Sequence, residues 1–205
     1  MISKGELHLL LCDHHSDFLD VLMPILSDTC NWLPYVSITM LLIFNWRTGL
    51  TLGGGLGLAT IITQVLKHIF HAPRPLTWFA EHMPDVELPL TEGVKMHYWD
   101  SFPSGHTTTF FALYIGLAVL VPLLVKHRYV LGESSRLSVS VYRMLTVLWC
   151  VMCGALCIVS SYSRIYLSQH FLSDVAAGAV IGTCSMLIAL AVARKLCHSC
   201  HTCAV

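Results

Sequence analysis

The sequence predicts an all-α, polytopic membrane bundle of about six helices, and three observations predict it. Hydrophobic residues make up 55% of the 205 positions, and mean hydropathy is +0.67. Charged residues are 12% of the chain, about half the share of an ordinary soluble domain. Apolar runs approaching the ~20 residues needed to cross hydrocarbon recur along the chain, set apart by polar blocks. The length suits one domain, so residues 1–205 are read as a single integral-membrane unit. A formal net charge of zero leaves no electrostatic footprint for nucleic acid.

Taken in order, the N-terminal stretch 6–29 is the least regular. Asp13, His14, His15, Asp17, Asp20 and Asp28 interrupt its apolar residues, which suits a helix in the interface better than a full crossing, although bundle-facing polar groups are compatible with a span. With no clean signal peptide ahead of it, the internal helices are expected to direct insertion. The run from Trp32 to Trp46 is short, and its two tryptophans suit opposite interfaces. Residues 50–68, 105–125, 142–162 and 171–193 read as transmembrane helices, which makes five crossings plus the N-terminal element.

Charge sets the expected orientation. The connection 126–143 carries Lys126, Arg128, Arg136 and Arg143 against Glu133, and Arg47, Arg194 and Lys195 fall on the same side. The connection 71–103 carries Glu81, Asp85, Glu87, Glu92 and Asp100 against Arg74 and Lys95. The positive-inside rule therefore places 126–143 and the C-terminus in the cytoplasm and 71–103 outside. Gly53, Gly54, Gly55 and Gly57, and then Ala177, Gly178 and Gly182, are small enough for close helix approach and read as packing. Of nine cysteines, Cys150, Cys153, Cys157 and Cys184 lie in apolar helical runs, and no structural disulfide is expected.

Three polar blocks then stand out at the mouths of the apolar runs: Lys67 with Arg74-Pro75, Pro103-Ser104-Gly105-His106, and Ser163-Arg164 with His170 and Asp174. The orientation above brings all three to the outer interface. His170 and Asp174 are four apart at the start of a predicted helix and share a face. The carboxylate there can accept the proton of one ring nitrogen and leave the other free to attack. His106, from another helix, could protonate a departing oxygen. Lys67, Arg74 and Arg164 would neutralise phosphoryl oxygens, Ser104 could donate a hydrogen bond, and backbone N–H groups around Gly105 at a helix start make an anion cradle. Each block alone also has a structural reading, as a snorkelling cation, a helix cap or a simple ion pair. Their convergence on one side of a membrane protein, where ionisable groups are costly, favours chemistry.

The pattern Lys67-x6-Arg74-Pro75, Pro103-Ser104-Gly105-His106 and Ser163-Arg164-x5-His170-x3-Asp174 resembles the full signature of the type 2 phosphatidic acid phosphatase (PAP2) superfamily, in its membrane lipid phosphatase branch. The resemblance implies a phosphomonoesterase or diphosphatase that needs no metal or other cofactor and works through a phosphohistidine. It implies His170 as nucleophile, Asp174 as its orienting carboxylate and His106 as acid and later base. It implies phosphate binding by Lys67, Arg74, Ser104, Gly105 and Arg164. The implied partner is a membrane lipid phosphate in the bilayer: undecaprenyl diphosphate, a lipid A phosphate, phosphatidylglycerophosphate or phosphatidic acid. The implied location is a bacterial cytoplasmic membrane, with the site on its outer face.

Two other classes remain open on the sequence. One is a phosphotransferase that hands the phosphoryl group to a lipid or sugar acceptor. The other is a non-catalytic lipid-phosphate binding or transport protein, which would need the cations but not the histidine pair. Cys197-His198-x-Cys200-His201-x-Cys203 has metal-like spacing, but a terminal tail offers no folded context, so no metal site is expected there. The Asp13-His14-His15-Ser16-Asp17 run reads as the wet face of the N-terminal helix.

Overall fold

The computed structural model describes residues 3–130 and 137–199, the last two by backbone alone. Among these residues the fold is all helical. The short α1 (Lys4–Cys12) precedes the long α2 (Asp17–Phe44) and α3 (Trp46–Phe70). A second short helix, α4 (Pro75–His82), is followed by α5 (Gly105–Val125), α6 (Val139–Tyr166) and α7 (Leu172–Ser199). A π-helical turn, Lys126–Val130, continues α5. Five long helices and an N-terminal short one match the expected count; α4 was not foreseen.

The N-terminal region divides differently from its reading in the sequence. Residues 6–29 are not one element, and the run from Trp32 to Trp46 is not a separate crossing. Ser3 caps α1 through a reciprocal box with Glu6. Ser16 caps α2, which then runs unbroken through Pro24 and Pro34. Of the acids that made the stretch look interfacial, Asp20 is held by the bundle, accepting the Tyr166 hydroxyl proton at 2.7 Å and pairing with His15 Nδ1 at 2.8 Å, whereas Asp13, Asp17 and Asp28 stay exposed. At 1.5 Å per residue, 28 residues reach about 42 Å, longer than the hydrocarbon core. Among the described residues, the remaining long helices α3, α5, α6 and α7 are four that are long and apolar enough to cross a membrane.

Asn45 turns the chain from α2 into α3. It closes the first helix by donating its N–H to the Leu41 carbonyl and caps the second by accepting from Arg47 N and Thr48 N. The reversal is so tight that a Cβ on Gly49 would lie 2.7 Å from the backbone nitrogen of Leu42, so a glycine is required there.

The core lies where α3, α5 and α7 meet, around Leu52, Leu56, Ala112, Leu113 and Met186. A second cluster, Phe110, Tyr114, Cys153 and Cys157, seals α5 to α6. The helices alternate in direction, so the chain has two polar ends. At one end, the Arg128 guanidinium lies 6.0 Å from the Phe44 ring. At the other lie α1, α4, the connection from α4 to α5 and the turn from α6 to α7. Glu133 and Arg136, counted above toward orientation, and the tail residues Cys200, His201 and Cys203 lie outside the described residues, as does the side chain of His198.

Candidate active site

The three polar blocks meet at that second end. Gly105, the first residue of α5, sits against the last turn of α3: a Cβ built on it would lie 3.8 Å from Lys67 Nζ. That is ordinary contact distance, so helix packing does not force glycine here, and its bare backbone leaves room for an anion to approach. Ser104 is the N-cap of α5. Its Oγ accepts from Thr107 N at 3.4 Å and from Thr107 Oγ1 at 3.0 Å, and its own hydroxyl proton remains to be donated. The Ser104 N–H donates to the Asp174 carbonyl at 3.0 Å, which joins the second block to the third through backbone.

His170 and Asp174 are almost completely buried, and His170 Nδ1 lies 3.8 Å from Asp174 Oδ2. His170 belongs to the tight turn between α6 and α7, where Gln169 N and His170 N both donate to the Arg164 carbonyl, at 3.0 and 3.2 Å. That turn fixes the imidazole and the guanidinium relative to each other. Burial drives the His170 pKa down against the opposing pull of Asp174, so the ring is neutral at physiological pH.

Arg164 is also buried. Its Nη1 donates to Ser27 Oγ on α2, whereas its Nε has no protein partner. A buried guanidinium N–H without an acceptor is costly, and an anion would relieve it. Arg74 is held by its other atoms: Nε donates to Trp99 O at 2.9 Å and Nη1 to Gln169 Oε1 at 2.9 Å. Neither bond uses Nη2. His106, in the first turn of α5, lies within electrostatic reach of Arg164, His170, Lys67 and Arg74. The structure therefore brings together every residue singled out in the three blocks.

Three further residues take part that the sequence did not mark. Ser27 engages Arg164 from α2, the helix hardest to read. Gln169 is almost fully buried, holds Arg74, and donates from Nε2 to Lys95 O at 3.3 Å. Ser101 places its hydroxyl 2.5 Å from Asp174 Oδ2. Gln169 and Ser101 flank recognised blocks, and that adjacency was the available signal; nothing in the sequence pointed to Ser27. The Asp13–Asp17 run supplies the cap of α2 and places His15 on the Tyr166 ring at 4.3 Å, a structural use.

Residues 48–196 match the PAP2 superfamily. The chain belongs to that superfamily. A crystal structure of Aquifex aeolicus LpxE is 25% identical in sequence and superposes with a TM-score of 0.62, covering 91% of this chain and 93% of that one. The transmembrane PAP2-type phosphatidylglycerolphosphate phosphatase from Bacillus subtilis is 18% identical, with a TM-score of 0.69 over 94% of this chain and 85% of that one, a likeness of fold. No curated protein sequence matches significantly. This PAP2 chain is a membrane-embedded lipid phosphatase.

Proposed function

We propose that the protein hydrolyses a phosphomonoester or diphosphate on a membrane lipid through a phosphohistidine on His170, without a metal, and releases inorganic phosphate. The observation that carries this reading is the meeting of a buried imidazole and its carboxylate with Lys67, Arg74 and Arg164, the last with an unsatisfied N–H.

The free ring nitrogen of His170 attacks phosphorus as the bond to the lipid oxygen breaks. His106 gives that oxygen its proton, and the departing lipid leaves a phosphorylated His170. His106, now basic, takes a proton from water, whose oxygen bonds to phosphorus while the P–N bond breaks. Phosphate leaves and His170 is restored. Throughout, Lys67, Arg74, Arg164, Ser104 and the N–H groups at Gly105 compensate the charge on the non-bridging oxygens, where electrostatic stabilisation of phosphoryl transfer is concentrated.

The reading extends to place and substrate. Residues 1–205 act as one integral-membrane phosphatase domain in a bacterial cytoplasmic membrane, with the site on the outer face and the C-terminus in the cytoplasm. The cationic end of the bundle, at Arg47, Lys126, Arg128 and Arg143, supports that orientation. The substrate is an undecaprenyl diphosphate, lipid A phosphate, phosphatidylglycerophosphate or phosphatidic acid, whose tails gain by remaining in hydrocarbon while the head reaches the polar end.

The test is phosphate release by purified wild-type and His170→Ala protein in detergent with EDTA, across those four lipids. Release by wild type alone supports the reading, and the rank order names the lipid. Equal release by both proteins would remove His170 from the nucleophile's role. A phosphorylated acceptor formed in place of free phosphate would turn the reading into phosphoryl transfer.

A further inference from the structure

The His170–Asp174 pair does not close on itself. At 3.8 Å, Nδ1 and Oδ2 are too far apart for a hydrogen bond. A carboxylate that is to fix the tautomer of a nucleophilic imidazole needs a continuous path to Nδ1–H. The Ser101 hydroxyl occupies that path. Ser101 Oγ is 2.5 Å from Asp174 Oδ2, a short charge-assisted contact, and 3.5 Å from His170 Nδ1, at the outer limit of bonding. A serine hydroxyl has one proton to donate and lone pairs to accept with. Since the carboxylate can only accept, the hydroxyl proton goes to Asp174, and its oxygen faces the imidazole Nδ1–H. The ring nitrogen left without a proton is then the other one, Nε2.

The position of Ser101 is built. The residue is 1% exposed, and its N–H donates to Ala72 O at 3.0 Å. The segment leading into it is stitched down almost residue by residue. Lys95 O accepts from Gln169 Nε2, Tyr98 O accepts from Arg74 N at 2.9 Å, and Trp99 O accepts from Arg74 Nε. Arg74 and Gln169 therefore hold the strap that presents Ser101, and Gln169 is bonded in sequence to His170. Asp174 Oδ2 is locked from a second direction by the Phe171 N–H at 3.0 Å. An aliphatic side chain at position 101 would leave Oδ2 with the Phe171 amide and no link to the ring.

We propose that Ser101 is a positioning residue for the reaction, its hydroxyl bridging Asp174 to His170 Nδ1 so that Nε2 is presented to phosphorus. This rests on His170 being the nucleophile. The 3.5 Å contact shortens as the imidazole gains positive character during attack, since Nδ1–H then becomes a stronger donor.

The experiment compares Ser101→Ala, Ser101→Thr and His170→Ala with wild type, using the lipid that wild type hydrolyses fastest, in detergent with EDTA. kcat, KM and the pH dependence of kcat/KM are measured, along with thermal midpoints. Ser101→Ala is expected to lose roughly 10- to 100-fold in kcat, the worth of one hydrogen bond to a charged group, with KM changed less than about threefold. Its acidic limb should move to lower pH, because a protonated His170 loses the hydroxyl oxygen that accepts from its Nδ1–H. Ser101→Thr, which keeps the hydroxyl, should recover most of kcat. The proposal is overturned if Ser101→Ala keeps wild-type kcat and pH profile while His170→Ala is inactive. It is also overturned if the loss lies wholly in KM, or if Thr is no better than Ala and both melt lower, which would make the role one of packing. An active His170→Ala would instead remove the nucleophile reading beneath it.

Discussion

Gly178→Ala would test whether the site depends on how closely α7 approaches α5. Gly178 lies one turn below Asp174, on the same face of the helix. A Cβ added there would stand 2.7 Å from the Ser104 carbonyl oxygen, 3.1 Å from Thr108 Oγ1 and 3.2 Å from Thr107 Cβ. The carbonyl belongs to the N-cap of α5 and cannot swing aside, because Thr108 N and Thr108 Oγ1 both bond to it, at 3.0 and 2.9 Å. Restoring ordinary contact therefore requires the helices to separate by roughly 0.5–1 Å, a shift that close-packed interiors resist. The same separation stretches the 3.0 Å bond from Ser104 N to Asp174 O and carries His170 away from His106. Misplacement on this scale costs about 100-fold when reacting groups must be in near-attack geometry, and overpacking costs about 1–3 kcal/mol of stability. The assay is phosphate release at saturating lipid, beside Gly154→Ala, whose Cβ would meet nothing within 4 Å and whose activity should stay at the wild-type level. Gly178→Ala with undiminished kcat would refute the claim that the α5–α7 approach sets the site's geometry.

Arg164→Lys is expected to lower kcat/KM by about 100-fold, since an ammonium cannot keep both the Ser27 bond and a planar second donor toward the phosphoryl group; kinetics on the best lipid would check it. Gln169→Leu removes the 2.9 Å side-chain acceptor of Arg74 Nη1, leaving it only the residue-169 carbonyl at 3.4 Å, and frees the Lys95 carbonyl. It should weaken inhibition by inorganic phosphate by roughly tenfold, within the worth of one charged hydrogen bond. His8 is buried against Phe171 and Ser168, and burial lowers its pKa to about 4. An unfolded chain binds that proton from about pH 6.5 downward while the folded one does not, so stability is present above that range and is lost as pH falls toward 4. Between pH 7 and pH 5 the thermal midpoint of wild type should fall more than that of His8→Phe, by the equivalent of about 2 kcal/mol, while the variant keeps the pH dependence that buried His170 contributes.

Much of this molecule was legible before any coordinates. The four long apolar runs 50–68, 105–125, 142–162 and 171–193 gave four long helices because hydrocarbon demands that backbone polar groups be satisfied within each segment, and helices do so locally. The blocks at Lys67–Arg74, Ser104–His106 and Arg164–Asp174 were visible because ionisable groups beside such runs are conspicuous. That they would meet followed from helix direction, since alternate crossings return the chain to the same end.

The N-terminal half was less legible. Asp20 and Ser27 make α2 look too polar to cross, because their partners, Tyr166 and Arg164, lie well over a hundred positions further on. A span's polar residues can be judged only with the neighbours that satisfy them. Local sequence fixed the helices, their caps and the ring-and-carboxylate spacing of four residues. Tertiary structure decided that His170 and Asp174 stand 3.8 Å apart with Ser101 beside them, that Gln169 holds Arg74, and that Arg164 keeps one N–H unpaired. Those facts depend on the approach of helices distant in sequence, where a few tenths of an ångström decide which hydrogen bonds exist.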